Sequence, residues 1–173
     1  MRQREMLFDQ LRQARVGDIR VPGYIDRDDG SPRFVPFPDS VYLALDGGYL
    51  QLKTVGDEGR MTLHLVSEPA VPPALVDDDD EFAMGSFGLT YLADSHSEFR
   101  ITRIRGIRKL DEEFAEQYHC LEFQLEKSWY LFVDPGYHFG IRLQGEGAYE
   151  RWLASDGARL RDGGAWESFV WTP

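Results

Sequence analysis

The stretch CLEFQLEKSWYLFVDPGYHFGIRL, Cys120 to Leu143, decides the reading of the fold. Apolar residues recur there at every second position through three short runs separated by turn residues, the signature of a three-stranded antiparallel meander. Because a strand sends successive side chains to opposite faces, Leu121, Phe123 and Leu125 are expected to share one face. Glu122, Gln124 and Glu126 are then expected to face water, and Lys127 with Ser128 opens the first reversal. Asp134-Pro135-Gly136 reads as the turn that returns Phe139 and Ile141 against the sheet. Trp129, Leu131 and Val133 cannot share a face with Tyr130 and Phe132. One set must therefore point away from the local core, into a second packed layer, a ligand cavity or a partner.

Working outward, Val41 to Val66 reads as another meander. Two alternating runs flank Asp46-Gly47-Gly48, residues that tolerate the positive φ of tight hairpins. Met61 to Val66 adds a third run after a turn at Gly56, Asp57, Glu58 and Gly59. Val41, Leu43 and Leu45 correspond in layout to Leu121, Phe123 and Leu125; an internal duplication and the general likeness of alternating strands both account for this. Residues 3–15 place Met6, Leu7, Leu11 and Ala14 at helical spacing, which predicts a short amphipathic helix. Asp18 to Asp39 is rich in Pro, Gly and Asp and reads as a loop or a pair of irregular edge segments. Phe87 to Leu92 reads as a short strand, and Leu110 to Tyr118 as acidic helical turns or an exposed loop.

FRITRIRGI, Phe99 to Ile107, reads as a strand with Phe99, Ile101 and Arg103 on one side and Arg100, Thr102 and Ile104 on the other. Ala148 to Ala154 predicts a helix and Trp166 to Trp171 a last strand. The expected architecture is a single domain over residues 1–173, mainly β with minor α. It is built on antiparallel meanders at 41–66 and 120–143, with a C-terminal helix and strand within 148–171. A curved sheet, a sandwich and a partly open barrel all satisfy that pattern.

Thirty Asp and Glu against nineteen Lys and Arg give a formal charge of −11, which repels nucleic-acid phosphates and anionic lipid and attracts basic surfaces. No nucleic acid and no membrane are expected as partners. Apolar runs fall far short of the roughly 20 residues a spanning helix needs. The single cysteine, Cys120, excludes an intrachain disulfide, and the first residues do not read as a signal segment, so a cytoplasmic protein is expected.

Side chains that carry chemistry are scattered. His64, His96, His119 and His138 show no metal-ligand spacing, so no metal and no cofactor are expected. His119-Cys120 resembles a thiolate dyad, but neighbours in a strand point to opposite faces, and Cys120 reads as a small core residue. Asp94, Ser95, His96, Ser97 and Glu98 hold the residue types of a hydrolase triad without a nucleophile elbow, and read as a polar turn. An enzyme that uses a carboxylate and a histidine, such as Asp134 with His138, is the third and least favoured reading, since the two stand four residues apart across a Pro-Gly turn that their proximity could simply fix. The acidic concentrations are Asp77, Asp78, Asp79, Asp80 and Glu81, and Asp111, Glu112, Glu113 and Glu116. Neither has calcium-loop spacing; each reads as a solvated loop or as a docking surface for a basic partner, and together they are the candidate partner-binding residues.

In its order of features the second half resembles small bacterial immunity proteins of polymorphic toxin systems. The residues that carry the resemblance are Leu121, Phe123, Leu125, Leu131, Phe132, Asp134, Pro135, Phe139, Gly140 and Ile141, joined by the Tyr42 to Leu52 hairpin. It covers Val41 to Leu143, and neither the proline-rich segment before Val41 nor residues 68–81 fit its pattern. The resemblance implies no catalysis: such proteins protect the producing cell by binding and blocking a cognate toxin. Their toxin-facing surfaces diverge, so it assigns no binding residue. The competing expectation is a small-molecule-binding β-barrel or sandwich with an apolar pocket between the meanders.

Overall fold

Residues 2–28, 30–76, 81–92, 97–109, 116–157 and 166–173 are described in this computed structural model. Helix α1 (Arg2–Leu11) leads into strand β1 (Arg15–Asp26), followed by β2 (Arg33–Pro36), β3 (Ser40–Leu45), β4 (Gly48–Thr54) and β5 (Met61–Val66). Then come β6 (Glu81–Ser86), the short helix α2 (Gly88–Tyr91), β7 (Phe99–Lys109), β8 (Gln117–Leu125), β9 (Trp129–Tyr137), β10 (Gly140–Gln144), α3 (Ala148–Ser155) and β11 (Trp166–Trp171). The fold is mainly antiparallel β with minor α.

Strands β1, β3, β4, β5, β8 and β7 pair in a ring. Its two weakest joints are the single pair Met61↔Tyr118 and the two pairs Arg15↔Arg100 and Val16↔Phe99. Beyond those joints the partners change: β9 replaces β5 along β8, and β11 replaces β1 along β7. The result is a partly closed barrel from which the β7–β8 pair extends as a wall.

The segment expected to be irregular is instead the spine of this barrel. β1 pairs with β3 and then β2 along one edge, and with β7 and then β6 along the other. Pro22 is tolerated because it lies opposite the gap between β2 and β3, where no ladder bond calls for its missing N–H; its carbonyl accepts from the Phe37 N–H at 2.8 Å. Phe87 to Leu92 also departs from expectation. Asp18 accepts from Ser86 Oγ at 2.8 Å and from the Gly88 N–H at 3.1 Å, and this turns the chain into α2.

Two bulges set which residues face inward. On β7 the register steps at Thr102, so Ile104 joins Phe99 and Ile101 in the core while Arg103 turns outward with Arg105. That reverses the expected sidedness of Arg103 and Ile104. On β8 the extra residue is His119, which lets Tyr118 and Leu121 both enter the core although they stand three positions apart.

The barrel interior is apolar: Val16, Ile19, Val41, Leu43, Leu50, Leu52, Met61, Ile104, Leu121 and Phe123 are all 0% exposed. A residue with no surface open to a water-sized sphere adjoins no water-sized void. The expected apolar pocket between the meanders is therefore filled wherever these residues line it. Helix α1 ends at Leu11 and turns Phe8 inward, leaving Met6 at the surface, because Phe8 stacks on Trp171 at 5.3 Å and meets Phe169 at 6.2 Å. A second apolar layer lies outside the sheet, where α3 packs Tyr149 and Trp152 over Cys120 and Phe132. Of the three destinations open to the outward aromatic set, Phe132 takes the packed layer.

Candidate functional site

Two regions concentrate polar and aromatic groups. The first is a buried charged seam between the sheet and α3. Glu122, expected in water, is 1% exposed because α3 covers the outer face of β8. Its Oε1 accepts from Arg105 Nε at 2.6 Å, and the Arg103 guanidinium stands 3.8 Å away. Arg105 also donates to Glu150 of α3 at 2.5 Å and lies 4.1 Å over the Tyr149 ring. Burial works against the Arg105 cation, but the two carboxylates outweigh it and raise its pKa, so the side chain stays charged.

Within the seam, burial pushes the Tyr149 phenol up to about 12 and the Cys120 thiol well above its ordinary value. A neutral thiol, a neutral phenol and a closed salt bridge hold α3 to the sheet and present no reacting group to solvent. Glu122 Oε2 and Arg103 Nε are buried with no hydrogen-bond partner among the described residues.

The second region is the end of the barrel where three loops converge. The reversal between β9 and β10 falls at His138 and Phe139, not at Asp134-Pro135-Gly136, which lies within β9. Asp134, 3% exposed, accepts from the Gly136 N–H at 2.9 Å and from Arg142 at 2.7 Å, and that guanidinium lies 5.1 Å from the Tyr137 ring centre. The Ile141 N–H donates to the Pro38 carbonyl at 2.6 Å. Gly140 has φ +106°, and a Cβ there would lie 2.5 Å from the same oxygen, so only glycine fits this approach. The β4–β5 turn abuts Gly136 through Gly59, whose carbonyl lies 3.1 Å from His119 Nδ1.

On this braced hairpin Tyr137 is 42% and Phe139 69% exposed, with their rings 5.6 Å apart; His138 is exposed against Phe139. The tip is thus an exposed aromatic projection. The Asp134 carboxylate is engaged by the Gly136 N–H and by Arg142.

The residues nominated from the sequence fall elsewhere. Asp77, Asp78, Asp79, Asp80, Asp111, Glu112 and Glu113 lie outside the described residues. Glu81 is exposed at the start of β6 and pairs with Arg27 at 2.7 Å. Glu116 is half-buried, accepting from Arg108 at 2.5 Å and from the Tyr118 hydroxyl at 2.9 Å. Both described members thus stand in pairs within the chain, Glu81 with Arg27 and Glu116 with Arg108. The aromatic tip was missed, although its signal stands in the chain: Tyr137-His138-Phe139 framed by Gly136 and Gly140 puts bulky rings where a turn leaves no core to receive them.

A cleft of about 90 Å³ between β10 and α3, lined by Arg142, Gln144, Arg151 and Trp152 among others, is small beside the roughly 300 Å³ at which small-molecule sites begin. Among the described residues no group of His, Cys, Asp and Glu is placed to hold a metal ion, and no helix is long and apolar enough to cross a membrane. No model of a known family, no curated protein and no solved structure matches the chain.

Proposed function

We propose that this chain is a non-catalytic binding protein, an immunity protein that neutralises a cognate, basic bacterial toxin in the cytoplasm. The observation that carries the reading is where the positive charge goes. Arg12, Arg20, Arg27, Arg33, Arg60, Arg103, Arg105, Arg108 and Arg142 each stand in an ion pair with a carboxylate of the same chain. With these nine of its nineteen Lys and Arg so engaged, a chain of net charge −11 offers a partner mainly anionic surface, which steers a basic protein into encounter and rejects acidic ones. The order of features from Val41 to Leu143, which resembles that of immunity proteins of polymorphic toxin systems, supports the same reading.

The test is co-expression with the product of the neighbouring reading frame, inactivated, followed by co-purification and titration at rising salt. A complex whose association rate falls as salt rises is the expected outcome. Failure of the two proteins to associate at low salt would remove the reading.

A further inference from the structure

We infer that the Tyr137-His138-Phe139 tip is the surface on which the basic partner docks, with Phe139 as its anchor. The inference rests on the binding role proposed above and adds which part of the molecule makes the contact.

Phe139 meets the neighbouring rings of Tyr137 and His138 but takes no part in the core. Leu131, Val133 and Ile141 of the same hairpin are buried, while Phe139 keeps 69% of its surface in water. A ring held at the tip of a turn usually tilts back onto the sheet to shed that exposure. Here it stays in water, on a hairpin whose backbone is held by the Ile141 N–H bond to the Pro38 carbonyl and by the bonds of Asp134 to Gly136 and Arg142. A hairpin backbone held in place before contact lowers the ordering cost of binding, and buried aromatic anchors are where interfaces concentrate their energy.

Charge selects the occupant. A second copy of the chain and an anionic membrane both meet a molecule of net charge −11 with repulsion. The adjoining β4–β5 turn adds exposed Asp57, and the faces of aromatic rings attract cations. Tyr137 already holds the Arg142 guanidinium over its ring. Phe139 leaves a ring available for an arginine or lysine of a basic protein.

The probe is the inactivated product of the neighbouring reading frame, titrated calorimetrically against the full chain and its variants. Phe139→Ala is expected to weaken binding roughly tenfold or more with an unchanged melting temperature. Phe139→Leu, which keeps apolar bulk but lacks the ring face, should fall between that variant and wild type. Leu89→Ala removes a side chain of similar exposure, 71%, on α2 and should leave affinity within about twofold.

If the probe binds wild type and Phe139→Ala equally well, the docking assignment is wrong while the binding role stands. Should the probe fail to bind wild type, both fall together. Equal losses in Phe139→Ala and Leu89→Ala would also overturn the assignment. So would a Phe139-dependent binding of the chain to lipid vesicles, or a Phe139-dependent self-association in sedimentation, either of which gives the tip a different occupant.

Discussion

The two meanders begin from the same alternation and end with different surroundings. In the first, Leu50 and Leu52 enter the core while Gln51 between them is half-buried on the outer face, and His64 opposite it is exposed. In the second, Leu121 and Phe123 enter the core, and Glu122 between them is buried more deeply than many apolar residues. Nothing local to the strands separates Gln51 from Glu122. What separates them is α3, which brings Tyr149, Glu150 and Trp152 over the second meander. A polar residue in an alternating strand is thus outward-facing by geometry, but only its covering layer decides whether outward means wet.

The largest test of this contrast removes the carboxylate at its centre. Glu122→Ala removes the buried one of the two carboxylates that hold Arg105, leaving it Glu150, and is expected to lower stability by about 3 kcal/mol, whereas His64→Ala on the first meander should change it by less than about 0.5 kcal/mol in denaturant titrations. Similar losses at the two sites would mean that α3 does not seal the second meander.

The turns give a smaller contrast. Gly140→Ala forces a side chain into positive φ and against the Pro38 carbonyl, with an expected cost of about 1–3 kcal/mol. Gly47→Ala, in the first meander's turn with open space around its Cβ position, should cost under about 1 kcal/mol. Loss of partner affinity in Gly140→Ala, at a temperature where the protein stays folded, would tie the brace to the aromatic tip.

The finest test uses pH. Burial pulls the His119 imidazole below its ordinary range, with the Gly59 carbonyl acting the other way, while its ring packs 3.7 Å from Trp166. The unfolded chain then binds this proton more readily than the folded one. The contribution to stability is whole above about pH 6.5 and drains as pH falls from there toward the lowered folded value. His119→Asn should flatten that part of the stability curve relative to wild type; an identical slope in both proteins would show that His119 does not titrate differently on folding.

Much of the strand pattern was legible because alternation is a local property. Val41 to Val66 and Cys120 to Leu143 could be placed as meanders from residue spacing alone, and the outward aromatic set of β9 had to find cover somewhere. Legibility failed where a distant segment overrides local composition. Asp18 to Asp39 looked irregular because of its prolines and glycines, yet much of it lies in strands, since β3 and β2 along one edge and β7 and β6 along the other supply partners that the composition does not reveal. The faces of Arg103 and Ile104 were misread because one bulged residue, Thr102, reverses every later side chain on the strand.

The candidate site was less legible than the fold. Runs of acid are conspicuous in a sequence, but Glu81 and Glu116 turn out to be engaged by Arg27 and Arg108, partners separated from them by 54 and 8 positions. The aromatic tip was hidden because exposure is not a property of a residue type.

By itself the sequence determined the class of the protein: an acidic, mainly β chain whose alternating runs require antiparallel neighbours, with a single thiol and no metal-ligand spacing. Only the tertiary structure decided that the sheet closes on β1, that Glu122 is buried and Phe139 is not, and that Arg142 braces the tip from the strand beyond it. The physical reason is one of range. Periodicity and turn chemistry act over a few residues, whereas burial and ion pairing are set by whatever segment comes to lie on top.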